Sequence, residues 1–144
     1  MKNTAKVSNG FFVVLEDSVS CNDLIKVYTS KKRKKEMIQM IRGNIQSWTS
    51  NPLLNSLKDK LLDLAIVVYC DKHRYKRQDV DNIAKIILDA LKTKLYTDDN
   101  QIIRLLLEKK ERTDVEEADS DEICISIREH NPKKQMILTF KNEF

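Results

Sequence analysis

The stretch "LLDLAIVVYC", residues 61–70, constrains the fold more than any other. It ends as a β-branched apolar run with charge on either side, and so reads as a central strand. Such a strand needs a sheet around it and other elements against it. "FFVVLE" (11–16) reads as a strand running into a polar loop, "DSVSCND". Over about 32–48, Ile38, Ile41, Ile45 and Trp48 recur at steps of three and four, which predicts an amphipathic helix facing the sheet, slightly weakened by Gly43. "TSNPLLNSLKDK" (49–60) reads as an irregular or short helical connection.

Val80, Ala84, Ile87, Leu91 and Leu95 predict a second helix over 80–95, with Asp81, Lys85, Asp89 and Lys92 on its polar face. "QIIRLLLEKK" (101–110) is ambiguous by period, but the turn "TDDN" before it and "EICISI" (122–127) after it favour a strand. "QMILTF" (135–140) adds an edge strand. The order β, α, β, α, β, β predicts one α+β domain over 1–144, a mixed β-sheet with two main helices packed on it.

Composition narrows the class. With 41% hydrophobic and 33% charged residues, two Gly and two Pro, the chain is globular rather than disordered or fibrous. Cys21, Cys70 and Cys124 form no CxxC pair, and with only His73 and His130 beside them a zinc site is not expected; they read as buried thiols in a reducing cytoplasm. No signal-like or membrane-spanning stretch is present, so neither secretion nor a membrane partner is expected. Net charge is +4, yet "DVEEADSDE" (114–122) holds six acidic residues, and the remainder carries 26 basic against 16 acidic ones. That balance suits a polyanionic partner. The acidic run itself is expected to form a loop turned away from it.

The chemistry gathers at the ends of the second helix. Asp79 and Asp81 stand at its start, Asp98 and Asp99 beyond its end. Capping explains one Asp at an N-terminus, at about 0.5–2 kcal/mol, but carboxylates near a C-terminus oppose the helix dipole. A helix of about 15 residues holds its ends about 22 Å apart, so it cannot bring the pairs together. They can meet only if Asp98 and Asp99 lie on a returning strand beside the strand that ends near Cys70, or if a loop folds back. Convergent carboxylates need a cation, and hard oxygen ligands suit Mg²⁺, with Mn²⁺ as a substitute. Lys85, four residues after Asp81, reads either as a weak surface pair of about 0.3 kcal/mol or as an ammonium beside a reacting phosphate.

"KRQDVDNIAKIILDAL" followed by "YTDDNQI" resembles the signature of the RusA family of Holliday junction resolvases. The likeness is dense over 77–102 and extends more weakly over about 11–129, leaving 130–144 as a C-terminal extension. It implies a metal-dependent endonuclease, active as a homodimer on branched DNA with four-way junctions, and hints at a bacterial or phage setting. Carried over by position, Asp79, Asp81 and Asp99 are the catalytic, metal-binding carboxylates and Lys85 the catalytic lysine; Asp98 belongs to the motif as a further candidate ligand. A dimer can complete or gate such a site across its interface. Departures from the pattern include Gln78, and "LKTKL" without a Gly after the helix.

The implied reaction is attack by metal-activated water on a phosphodiester, leaving paired symmetric nicks. A two-fold dimer suits a junction of approximate two-fold symmetry. Lys31, Lys32, Arg33, Lys34 and Lys35 at the first helix, and Arg74, Lys76 and Arg77 beside the carboxylates, are the expected phosphate contacts. Two other readings compete: a junction-binding protein that does not cut, and a structural domain whose Asp residues are caps.

Overall fold

The computed structural model describes residues 11–20, 25–28, 33–112 and 120–142. Strands are β1 (Phe11–Leu15), β2 (Val19–Ser20), β3 (Ile25–Tyr28), β4 (Leu62–Cys70), β5 (Ile102–Glu111), β6 (Ser120–Glu129) and β7 (Leu138–Asn142). Helices are α1 (Lys34–Thr49), α2 (Pro52–Asn55), α3 (Lys72–Arg77) and α4 (Val80–Leu91). The fold is α+β, with a mixed sheet carrying two long helices, as the periodicity predicts.

β4 is the centre of that sheet, fully buried along its length between β6 and β5. It runs antiparallel to β6 and parallel to β5, with Leu62 opposite Ile102 and Cys70 opposite Glu111. A parallel neighbour requires a crossover, and α4 supplies it, running back over the sheet between the two strands. Both short strands β2 and β3 pair with β6; β2 lies within the expected loop 17–23, and β3 in a stretch with no sequence expectation. β1 and β7 form a separate antiparallel pair.

Strand alternation divides β4 into two faces. Leu62, Leu64, Ile66, Val68 and Cys70 join Ile41, Ile45 and Trp48 of α1, Ile83, Ile87, Ala90 and Leu91 of α4, and Ile123, Ile125 and Ile127 of β6 in one apolar cluster. Asp63 lies on the other face, with Arg104 and Arg128 on the neighbouring strands. Leu15 closes that side, its N–H reaching Ser126 Oγ at 3.4 Å.

α4 is shorter than its pattern. It stops at Leu91 because Lys92 turns extended and Thr93 adopts φ 68°, with Thr93 N–H donating to the Tyr96 carbonyl at 2.7 Å. Leu95 and Tyr96 remain buried beyond the turn. Its expected apolar stripe also divides. Ile87 and Leu91 are in the core, whereas Val80 is 39% exposed and lines a groove with Ala84.

Candidate catalytic groove

The link from strand to α4 is itself structured. Asp71 caps α3 by accepting from Arg74 N–H at 2.8 Å, and "KHRYKR" forms a six-residue helix where the sequence shows only a basic segment. Gln78 is the single residue between the end of α3 and Asp79, the N-cap of α4.

Capping does not explain Asp79, because its side chain makes no cap hydrogen bond. Asp79, Asp81 and Lys85 are exposed, and none of their side chains has a hydrogen bond or ion pair among the described residues. Asp79 and Asp81 line a shallow groove with Val80, Ala84, Leu105 and Leu107, between the start of α4 and β5. β5 is the sheet edge, and its Leu105, 40% exposed, adds apolar surface beside these carboxylates, while Ile103, 46% exposed, lies earlier on the same strand.

The other pair is built differently. Asp98 is spent on structure: it closes a capping box with Gln101 over a 3-10 turn, Asp99–Gln101, and pairs with Lys92 at 3.5 Å. Gln101 holds this turn from both sides. Its Oε1 accepts from Thr97 N–H at 2.7 Å and Asp98 N–H at 2.9 Å, while its Nε2 donates to the Lys58 and Lys60 carbonyls at 2.8 Å each. Asp99 keeps a buried Oδ1 with no hydrogen-bond partner. Its carboxylate acts on Tyr96, whose hydroxyl donates to the Leu88 carbonyl at 3.0 Å. Burial first, and then the Asp99 carboxylate, push the Tyr96 hydroxyl well above the ordinary phenol value.

Within the chain the two pairs stay apart. Asp98 and Asp99 do precede a strand lying beside β4, but β5 is parallel to β4, so their turn sits at the Leu62 end while Asp79 follows the Cys70 end. Tyr96 and Asp99 stand level with Leu88, about 10 Å along the α4 axis from Asp81. Accordingly, no three acidic, His or Cys side chains are placed to hold a metal ion among the described residues. The donor types still fit a hard divalent ion: two free carboxylates in one half-site and a carboxylate with an orphaned buried oxygen in the other.

Of the expected phosphate contacts, Lys31 and Lys32 lie outside the described residues. Arg33, Lys34 and Lys35 are exposed, with Lys34 paired to Asp89 at 2.8 Å. Lys76 and Arg77 are exposed on α3 without partners among the described residues, and Lys72 joins them. Arg74 turns inward. Its guanidinium grips Asp121 twice, at 3.0 and 2.9 Å, and Gln78 Oε1 at 3.2 Å. Asp121 and Glu122, the end of the acidic run, are therefore not loop residues: both are buried in β6, Glu122 opposite Arg112 at 3.6 Å. Burial pushes the Asp121 carboxyl up, and Arg74 offsets only part of it. Cys70 and Cys124 are buried thiols outside any disulfide, and burial pushes Cys70 up to about 12; Cys21 lies outside the described residues.

Residues 3–127 match the family model of endodeoxyribonuclease RusA, most of the 144-residue chain and close to the span over which the motif resemblance extends. The chain belongs to the RusA family, whose activity is that of an endodeoxyribonuclease resolving Holliday junctions. Among curated proteins, none matches it. No helix of the described residues is long and apolar enough to cross a membrane.

Proposed function

We propose that the protein is a Mg²⁺-dependent homodimer that resolves four-way DNA junctions, each catalytic site combining Asp79, Asp81 and Lys85 of one protomer with Asp99 of the partner subunit. The supporting observation is the separation just described: free carboxylates at one end of α4, an orphaned carboxylate oxygen at the other, and an apolar strand edge between them.

Among the described strands β5 pairs only with β4, which leaves the N–H and C=O groups of its other edge for a partner. A second copy set against this edge by a two-fold axis across β5 reverses its direction. The turn before the partner's β5 then approaches the end of β5 in the first copy, where α4 begins. Val80, Ile103 and Leu105 supply exposed apolar area for such an interface. Two sites follow from one axis, the number needed for two symmetric nicks.

Asp79, Asp81 and the partner's Asp99 would hold the ion. Bound there, Mg²⁺ lowers the pKa of a water and neutralises charge on the phosphoryl oxygens. Lys85 lies one helical turn beyond Asp81 and directs an unpartnered ammonium at phosphate charge that grows in the transition state. Val80, Ala84, Leu105 and Leu107 form the apolar wall of the groove. Lys72, Lys76 and Arg77 on α3 take the flanking phosphates.

Mixing inactive variants tests both parts on a labelled synthetic junction with Mg²⁺. Asp81→Asn and Asp99→Asn are each inactive alone. Heterodimers of the two regain one complete site, and so make single nicks. If mixing restores nothing while each parent carries the mutation's full loss, the sites are not shared between protomers; nicking without any divalent metal removes the Mg²⁺ requirement.

A further inference from the structure

We propose that Lys109, which lies outside the family motif, is the positioning residue for the Asp79–Asp81 half-site. The inference rests on the metal-nuclease reading and adds to it the group that sets the carboxylates' orientation.

The problem is visible in the chain path. α3 and α4 are joined by two residues, Gln78 and Asp79, both in extended conformation. Asp79 lacks the side-chain cap that would ordinarily fix an N-cap residue, so its direction depends on the backbone around it. On its C-terminal side its carbonyl accepts from Ile83 N–H at 3.3 Å, a bond that belongs to the helix. On its N-terminal side it is joined to Gln78, whose carbonyl closes the same peptide plane.

Lys109 takes that carbonyl. Its Nζ donates to the Gln78 oxygen at 2.5 Å and to the Tyr75 oxygen at 2.8 Å, and lies 5.5 Å from the Tyr75 ring centre. One ammonium thus fills two acceptors that a short helix leaves open at its C-terminus, where a cation is also favoured electrostatically. The anchor is rigid, since Lys109 is paired across the parallel ladder with Val68 of the buried central strand. Leu105 and Leu107, two and one alternations earlier on the same face of β5, line the groove itself. The strand that forms one wall therefore also sets the peptide from which Asp79 projects.

Methionine, of similar length, has no donor for either carbonyl. Without the ammonium, the Gln78 carbonyl loses its only side-chain donor among the described residues, and α3 keeps its tie to the sheet only through Arg74 and Asp121. A support of this kind typically carries about tenfold in metal affinity or rate.

The test uses full-length Lys109→Met, which keeps the aliphatic stem, and Lys109→Arg, which keeps charge and donors. Four quantities are compared with wild type: Mg²⁺ binding by calorimetry without DNA, junction cleavage against Mg²⁺ concentration, junction binding without divalent metal, and the dimer by sedimentation. Positioning predicts that Lys109→Met binds Mg²⁺ about tenfold more weakly and shifts the cleavage midpoint by the same factor. Junction binding and dimer stay unchanged, and Lys109→Arg recovers most of the loss. Unchanged Mg²⁺ binding overturns the proposal. So does a loss confined to junction affinity with a shallower salt dependence, the mark of a phosphate contact, or a loss that follows dissociation of the dimer. If Lys109→Met does not fold, Lys109→Leu, which also lacks a donor, is judged by the same criteria. A wild-type protein that binds no Mg²⁺ and makes no nicks overturns the nuclease reading, and this inference with it.

Discussion

Asp63 and the Asp79–Asp81 pair are the same side chain in opposite circumstances. Asp63 is completely buried on β4. Arg104 grips it at 2.9 and 2.6 Å, Arg128 at 3.0 Å and His130 Nδ1 at 2.8 Å. The two arginines spend further donors on the carbonyls of Glu16, Asn131, Lys134 and Gln135, which fastens the loop after β6 and the exit of β1 to the sheet. Asp79 and Asp81 have none of this. A carboxylate whose partners are complete belongs to the scaffold; one left without partners beside an apolar groove is available for a ligand.

Exchanging the two kinds of Asp for Asn sharpens the contrast most. Asp63→Asn leaves the buried Arg128 and the partly exposed Arg104 guanidiniums undercompensated and is expected to cost about 3–5 kcal/mol in urea unfolding. Asp81→Asn should leave stability within about 0.5 kcal/mol and reduce junction cleavage by about 10²–10³-fold with binding retained. An Asp81→Asn protein that unfolds as readily as Asp63→Asn would erase the distinction.

Acid separates them next. Burial alone would raise the Asp63 carboxyl, but hydrogen bonds from Arg104, His130 and Arg128 outweigh it and hold it at about 2, against the ordinary 3.8. A lowered folded value means stability that is present above pH 3.8 and lost as pH falls towards 2, about 2 kcal/mol in all. Unfolding measured at pH 5 and pH 2 should show wild type losing this increment and Asp63→Asn lacking it. A fixed gap between them at both pH values would contradict the linkage.

The smallest effects concern backbone freedom. Gly43 lies within α1 with open space where a Cβ would project, so Gly43→Ala should stabilise by about 0.5–1 kcal/mol. Thr93 shows the reverse: a β-branched residue at φ 68°, where Thr93→Gly should gain about 1 kcal/mol. Both are read from melting temperature, and neither should alter cleavage.

The elements with strong periodicity are legible in the sequence. Ile41, Ile45 and Trp48 show the inner face of α1, and the β-branched run shows β4. Weak signals fail where partners decide. β2 and β3 exist because β6 offers an edge, and "KHRYKR" becomes helical because Asp71 caps it. Asp121 and Glu122 look like solvent-exposed acid until Arg74 and Arg112 arrive from distant parts of the chain. The candidate residues at 79, 81, 85 and 99 are legible through their motif, but their separation is not. It follows from the parallel direction of β5, which no local pattern encodes. Lys109 is likewise invisible, since its value lies in two backbone carbonyls over thirty positions away.

β1 and β7 pair with Phe11 opposite Asn142, which joins the first described strand to the last described one. β1 must therefore wait for its partner until β7 has emerged from the ribosome. Closing so long a loop costs entropy that only the finished sheet can repay. Assembly of this second layer should be a late and slow event, and a chain that loses β7 would leave β1 as a sticky edge rather than simply a shorter protein.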